Sequence, residues 1–166
     1  MRRIFATIWV KPCRSRKWLL PKMAEHRITL KWWKGDVPFT YEAYPRNHTI
    51  SFKDGAPVFF SAAPAYRGDP AKGDPEDLLV ASLSSCHMLS FLAICAKKKI
   101  IVEAYDDEAT GTLENEGGKL WMTRVLLRPK VVAGADTAAL EQIHHLAHEA
   151  CFIANSVKTA VTVKPR

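Results

Sequence analysis

Cys86 and Cys151 are the residues best placed to do chemistry in this chain. Cys86 lies about a dozen residues into an apolar stretch that opens at Pro75, and Cys151 follows a second periodic stretch. One embedded thiol and one at a helix end, accessible and free to move, suit an attack-and-resolve pair. The first thiolate opens a peroxide O–O bond and becomes a sulfenic acid; the second condenses with it to a disulfide. An unperturbed thiol, with a pKa near ~8.5, is barely ionised at neutral pH. Cys86 is too far along its helix for the N-terminal dipole to change that. A cation must come from elsewhere in the fold. Arg46 and Arg67, both ahead of the helix, are the candidates, and Glu76 in the first helical turn would hold such an arginine through a bidentate contact. Periodicity alone leaves Cys86 open to a plainer reading, as a small core hydrophobe.

The surroundings of Cys86 favour the chemical reading. Ser82, Ser85, Cys86, His87 and Ser90 form a polar island within an apolar helix, and Ser82, Cys86 and Ser90 share a face at four-residue spacing. Buried polar groups cost stability unless paired, so an island of this kind needs a reason. Cys95, nine residues after Cys86, faces the opposite side and is expected to pack.

The elements that must position these residues are legible at several points. Asp74 is a good helix N-cap, Pro75 suits the first helical position, and Glu76 and Asp77 put negative charge in the first turn. The helix runs without a charge from Leu78 to Ala96, apolar almost all round, as a central core helix is. Ahead of it, His26 to Trp33, Phe39 to Tyr44 and His48 to Phe52 read as strands of a small meander that closes at Lys53-Asp54-Gly55, followed by a Gly/Pro-rich loop over 61–75. Behind it, Val102 to Leu113 and Leu120 to Val132 read as two long strands around Glu116-Gly117-Gly118. Thr137 to Ala150 is a second helix, with Asp136 as N-cap and Leu140, Ile143 and Ala147 at core spacing. Val157 to Val163 is a last strand. Strands, helix, strands, helix, strand make an α+β domain. Glu103 and the run Asp106-Asp107-Glu108 are expected on a solvated strand face.

Composition narrows the function. The chain has 166 residues, 48% hydrophobic, enough for one domain with a sizeable core. Its net charge of +7 lies entirely in residues 1–22, which carry seven basic and no acidic side chains; the remaining 17 basic residues are matched by 17 acidic ones. The body therefore offers no broad field for nucleic acid. In the basic segment 1–22 the apolar stretch Ile4 to Val10 is barely long enough for a secretory signal, and Lys11-Pro12-Cys13-Arg14 is a poor cleavage site. The segment is expected to be an extension outside the fold, leaving 23–166 as a single domain. The long helix matches a membrane span in length, but its Ser and His residues and its isolation argue against one. Four cysteines without a CxxC pair indicate neither a disulfide-stapled secreted domain nor a zinc ribbon, and fit a reducing cytoplasm.

Asp74-Pro75-Glu76-Asp77-Leu78-Leu79, then Ser84-Ser85-Cys86-His87, then Cys151 with Ser156, together resemble the OsmC/Ohr family of osmotically inducible and organic hydroperoxide resistance proteins. The resemblance spans roughly 26–164, and the tract from His148 to Ser156 looks like its OsmC-like branch. It implies antiparallel sheets around a long central helix in an intertwined homodimer, with two sites at the subunit interface. It implies reduction of organic hydroperoxides by sulfur alone, with no cofactor or metal, and with an external dithiol as reductant. Cys86 matches the peroxidatic cysteine, Cys151 the resolving one, and Glu76 the glutamate that orients the catalytic arginine. The family's branches supply that arginine from different segments. Arg46 is preferred over Arg67, since a strand end is a firmer mount than a Gly/Pro-rich loop. The chain departs from the usual pattern at Phe152, where well-characterised members usually carry proline.

Two other functions use the same residues. His144 and His148, four apart on one helix, with Cys151, Cys86 and His87, would make a zinc site. Histidines on such a helix are otherwise expected to be solvated. The apolar helix with Trp32, Trp33 and Trp121 would instead line a pocket for a small apolar ligand.

Overall fold

The computed structural model describes residues 24–166. The expected extension over 1–22 lies outside them. The first sheet is antiparallel and contains β1 (Ile28–Lys31), β2 (His48–Phe52) and β3 (Val58–Phe60), in that order. β3 is an element the sequence reading did not separate. Lys53, at φ 55°, and the bond from Gly55 N–H to the Phe52 carbonyl reverse the chain there, so the turn joins two strands instead of closing the meander.

The strand expected over Phe39 to Tyr44 is a turn. The amides of Ala43 and Tyr44 both donate to the Thr40 carbonyl. Trp32 Nε1 donates to the Pro45 carbonyl at 2.7 Å, and the Phe39 ring packs against Trp32 and Tyr44. Side-chain packing, with no neighbouring strand to pair, decides the backbone here.

The first helix, α1 (Pro75–Lys97), begins with a capping box: Asp74 accepts from Asp77 N–H at 2.9 Å, and Asp77 accepts from Asp74 N–H at 3.3 Å. Leu83, His87, Phe91 and Cys95 recur every four residues and form its buried stripe. Cys95 therefore packs, as expected. The stripe meets α2 (Thr137–Glu149), whose Ile143 and Ala147 complete one core cluster with Phe91 and Cys95. A second cluster joins Leu83 to Val125 and Leu127. The opposite side of α1 stays open, with Leu89 59% exposed.

The two long strands expected after α1 are each broken in two. β4 (Val102–Asp107) pairs with β7 (Pro129–Ala133), while β5 (Thr110–Glu116) pairs with β6 (Lys119–Leu127). The break has one cause within the strand and one distant in sequence. Pro129 brings no N–H to a ladder, and the Arg128 N–H before it donates to the Asp107 carboxylate at 2.7 Å. Asp107 also accepts from Ser84 Oγ at 2.5 Å, so it ties both strands to α1 and is no solvated strand residue. Gly117 and Gly118, at φ 59° and 81°, form the two-residue turn that joins β5 to β6. After α2 the chain returns as β8 (Ala160–Val163), which runs parallel to β6, an exception among the otherwise antiparallel pairs.

Candidate active site

The polar island on α1 divides around the helix. Ser82, Ser85, Cys86 and Ser90 line a groove of about 820 Å³ with Phe52, Leu89 and Phe152, while His87 points the other way into the core. Ser82 is satisfied within the helix by donating to the Leu79 carbonyl at 2.8 Å. Cys86 is partly exposed at the groove wall.

Cys151 is brought to Cys86, but it is not the accessible, mobile thiol the sequence suggested. It is only 1% exposed. It continues the stripe of Ile143 and Ala147 at four-residue spacing and is buried for that reason. Three bonds anchor its tract. Cys151 N–H donates to the His148 carbonyl, Asn155 N–H donates to the Cys151 carbonyl, and Ala154 N–H reaches Cys151 Sγ at 3.5 Å. Burial raises the Cys151 pKa; the Ala154 N–H opposes this, and the Cys86 thiol beside it raises the value further through hydrogen bonding and charge. Both cysteines are free thiols.

The arginines gather elsewhere. The Arg46 guanidinium lies 3.7 Å from the Tyr44 ring centroid and 5.0 Å from that of Tyr41, and it donates to the carbonyls of Tyr44 and Tyr41. Arg67 approaches the same Tyr41 ring at 5.7 Å, from a backbone held at φ 64°. Tyr41 thus draws the two candidates together, away from the residues that line the Cys86 groove. Glu76 is half-buried in the first turn of α1, and no ion pair joins it to either arginine among the described residues. One chain therefore unites Cys86 with Cys151, and Arg46 with Arg67, but not the two pairs with each other.

A histidine pair escaped the sequence reading. His144, expected to be solvated, is 3% exposed, and His87 is fully buried. His87 Nε2 and His144 Nδ1 are 3.1 Å apart, their rings nearly parallel, and His144 stacks on Phe91 at 4.2 Å. The signal was present: His87 lies midway between Leu83 and Phe91, and His144 four residues after Leu140. Burial lowers both pKa values to about 4. For His87 the neighbouring His144 and His148 add to the effect and Asp107 opposes it; for His144 only Asp107 opposes it. Both rings are therefore neutral at physiological pH. Among the described residues no three His, Cys, Asp or Glu side chains converge to hold a metal.

The tryptophans do not share a pocket. Trp32 belongs to the aromatic cluster around Arg46, Trp121 lines a separate groove beside Leu120 and Val157, and Trp33 is exposed.

Comparison with known proteins gives a consistent family. A model of the OsmC-like protein family matches residues 68–166. An OsmC-like protein of unknown function from Vibrio cholerae is 44% identical in sequence; the match covers 87% of this chain and 100% of that one, with a TM-score of 0.80. An organic hydroperoxide resistance protein OsmC from Legionella pneumophila is 19% identical over 86% of this chain and 96% of its own, with a TM-score of 0.66. The organic hydroperoxide resistance protein OhrB of Bacillus subtilis is 15% identical over 86% and 98%, with a TM-score of 0.64. These last two share the fold. No curated protein matches the chain.

Proposed function

The chain belongs to the OsmC-like family, and from that premise we propose that it reduces organic hydroperoxides through Cys86, with Cys151 as the resolving thiol. The observation that carries the reading is the pairing of a groove-wall thiol, Cys86, with a second free thiol immediately beside it. A peroxide would enter by the apolar groove, where Leu89, Phe52 and Phe152 suit an organic substituent. The Cys86 thiolate attacks the O–O bond, the alcohol leaves, and the sulfenic acid condenses with Cys151, releasing water. An external dithiol then restores both thiols. Sulfur carries the electrons, so the proposal needs no cofactor or metal. The family name borne by the Legionella and Bacillus neighbours points to the same substrate class.

A homodimer belongs to this proposal. The single chain exposes Ile28, Leu30, Phe52 and Val58 on one face of the first sheet and Leu89 on α1, with Phe52 and Leu89 lining the same groove, an apolar face of the kind that marks an interaction surface. An intertwined partner would cover it and would let an arginine of one copy reach Cys86 of the other. Arg46 remains the preferred activator, Arg67 the alternative, with Glu76 as the orienting carboxylate. The domain is taken as residues 23–166, acting in a reducing cytoplasm without nucleic acid or membrane.

The test is peroxide consumption with a dithiol donor. Wild type should turn over, Cys86→Ser should fall to background, and Cys151→Ser should stop after one equivalent unless the donor resolves the sulfenic acid directly. Equal activity in wild type and Cys86→Ser ends the proposal. Arg46→Ala should slow the reaction of Cys86 with peroxide more than Arg67→Ala; the reverse order transfers the role to Arg67.

A further inference from the structure

We propose that the buried His87–His144 bridge is a positioning pair, which holds the end of α2 in the one register that keeps Cys151 beside Cys86. The inference rests on the thiol-pair reading above. His87 directly follows Cys86, and His144 lies seven residues before Cys151, two helical turns away. The bridge therefore links the two helices at points tied closely to the two sulfurs. With both rings neutral, a single proton occupies the Nε2···Nδ1 contact. His87 Nδ1 is buried without a partner. A bare acceptor there is tolerated better than an orphaned N–H, so the geometry assigns the bridging proton to His87 Nε2, with His144 Nδ1 accepting.

A polar pair is an expensive way to fill a core, since two apolar side chains of similar shape hold a fold about as well. What an apolar pair lacks is direction. Phe91, Cys95, Ile143 and Ala147 would keep their burial through a small slide or rotation of α2, whereas a 3.1 Å bond would not survive it. Beyond α2 the Cys151 tract hangs on the helix end. Its amide donates to the His148 carbonyl, and Asn155 Nδ2 donates to that of Glu149 at 3.0 Å. A shift of α2 is thus passed directly to Cys151 Sγ. In the resolving step the S–O bond of the Cys86 sulfenic acid breaks, the Cys86–Cys151 S–S bond forms, and the Cys151 thiol proton leaves with the hydroxyl as water. Only the distance between the sulfurs is under the bridge's control.

The test reads that distance without peroxide. The full chain is equilibrated with reduced and oxidised glutathione, and the Cys86–Cys151 disulfide is quantified by peptide mass spectrometry; each disulfide formed converts one glutathione disulfide to two glutathiones. His87→Gln keeps a donor where Nε2 lies, and His87→Met has similar length and volume without it. The disulfide equilibrium constant should fall about tenfold or more in His87→Met and stay within about threefold of wild type in His87→Gln, with the alkylation rate of Cys86 equal in all three. His144→Asn, which keeps an acceptor near Nδ1, should resemble wild type, and His144→Leu should resemble His87→Met. Equal constants for the Met and Gln variants overturn the inference while leaving the thiol-pair reading intact. Absence of the disulfide in wild type overturns both.

Discussion

Cys86 and His87 are consecutive residues about 100° apart around α1, and they meet opposite surroundings. Cys86 faces a groove with apolar walls and is partly exposed; His87 is fully buried against α2 and bonded to His144. On the open side the polar side chains border space for a reacting molecule. On the closed side the polar groups have nothing to react with, and their value lies in orientation. Under the proposed function, one helix thus carries a face for chemistry and a face that locates the second thiol. The difference teaches that a buried polar cluster beside a groove-wall cysteine need not share the surface that cysteine presents.

The largest expected effect breaks the closed face. His87→Ala removes a fully buried ring and strips His144 Nδ1 of its partner. The cavity and the orphaned acceptor together should cost about 3 kcal/mol. Cys86→Ala, on the open face, should cost under about 1 kcal/mol while abolishing peroxide reduction. Urea denaturation of the two variants checks the contrast; equal losses would erase the distinction between the faces.

Thiol labelling sharpens it next. A small alkylating reagent should modify Cys86 in the native protein on the order of a hundredfold faster than Cys95 or Cys151, because each of these must first be exposed by local unfolding. Peptide mass spectrometry separates the sites. Comparable rates at Cys86 and Cys151 would mean that the tract after α2 opens freely, contrary to its bonding.

Acid should act on the closed face alone. His87 and His144 titrate near 4 in the folded chain and near their ordinary ~6.5 once unfolded. Between those values the unfolded state binds more protons than the folded one, so stability falls as pH is lowered. The slope should approach about 1.4 kcal/mol per pH unit for each histidine, flattening below pH 4 as the folded rings protonate too. Above about pH 7 the pair should contribute no pH dependence. Unfolding free energies of wild type and His87→Met between pH 7 and pH 4.5 test this, the variant being expected to show the shallower slope.

The sequence made some of this plain and concealed the rest for physical reasons. α1 was readable because its start is written locally, in Asp74, Pro75 and Asp77. The break at Arg128 was not, because it depends on Asp107, a partner 21 residues away. The cysteine pair was legible as residue types, but the exposures were assigned the wrong way round. A place at a helix end predicts a mobile Cys151, although its spacing from Ala147 continues a core stripe. His144 shows the reverse conflict. Its polarity outweighed its spacing from Leu140, although a neutral imidazole with one partner buries readily. The arginines were narrowed to Arg46 and Arg67 and no further, because a single chain draws both to Tyr41 and leaves Cys86 without either.

The smallest expected effect tests whether the two faces stand on a common footing. Asp74 caps the helix that carries both, and its carboxylate satisfies the Asp77 N–H. Asp74→Ala should cost about 1 kcal/mol, the usual worth of such a cap. The first turn is a full two turns from Cys86, so fraying there should leave the His87–His144 contact and the Cys86 labelling rate unchanged. Glu76 lies within that turn, however, and if it orients the activating arginine, the capping variant should slow peroxide reduction severalfold while the disulfide equilibrium stays at its wild-type value. A loss in both would mean that the helix start and the histidine bridge form one cooperative unit, and that the two faces are not separable. A loss in neither would remove Glu76 from the mechanism.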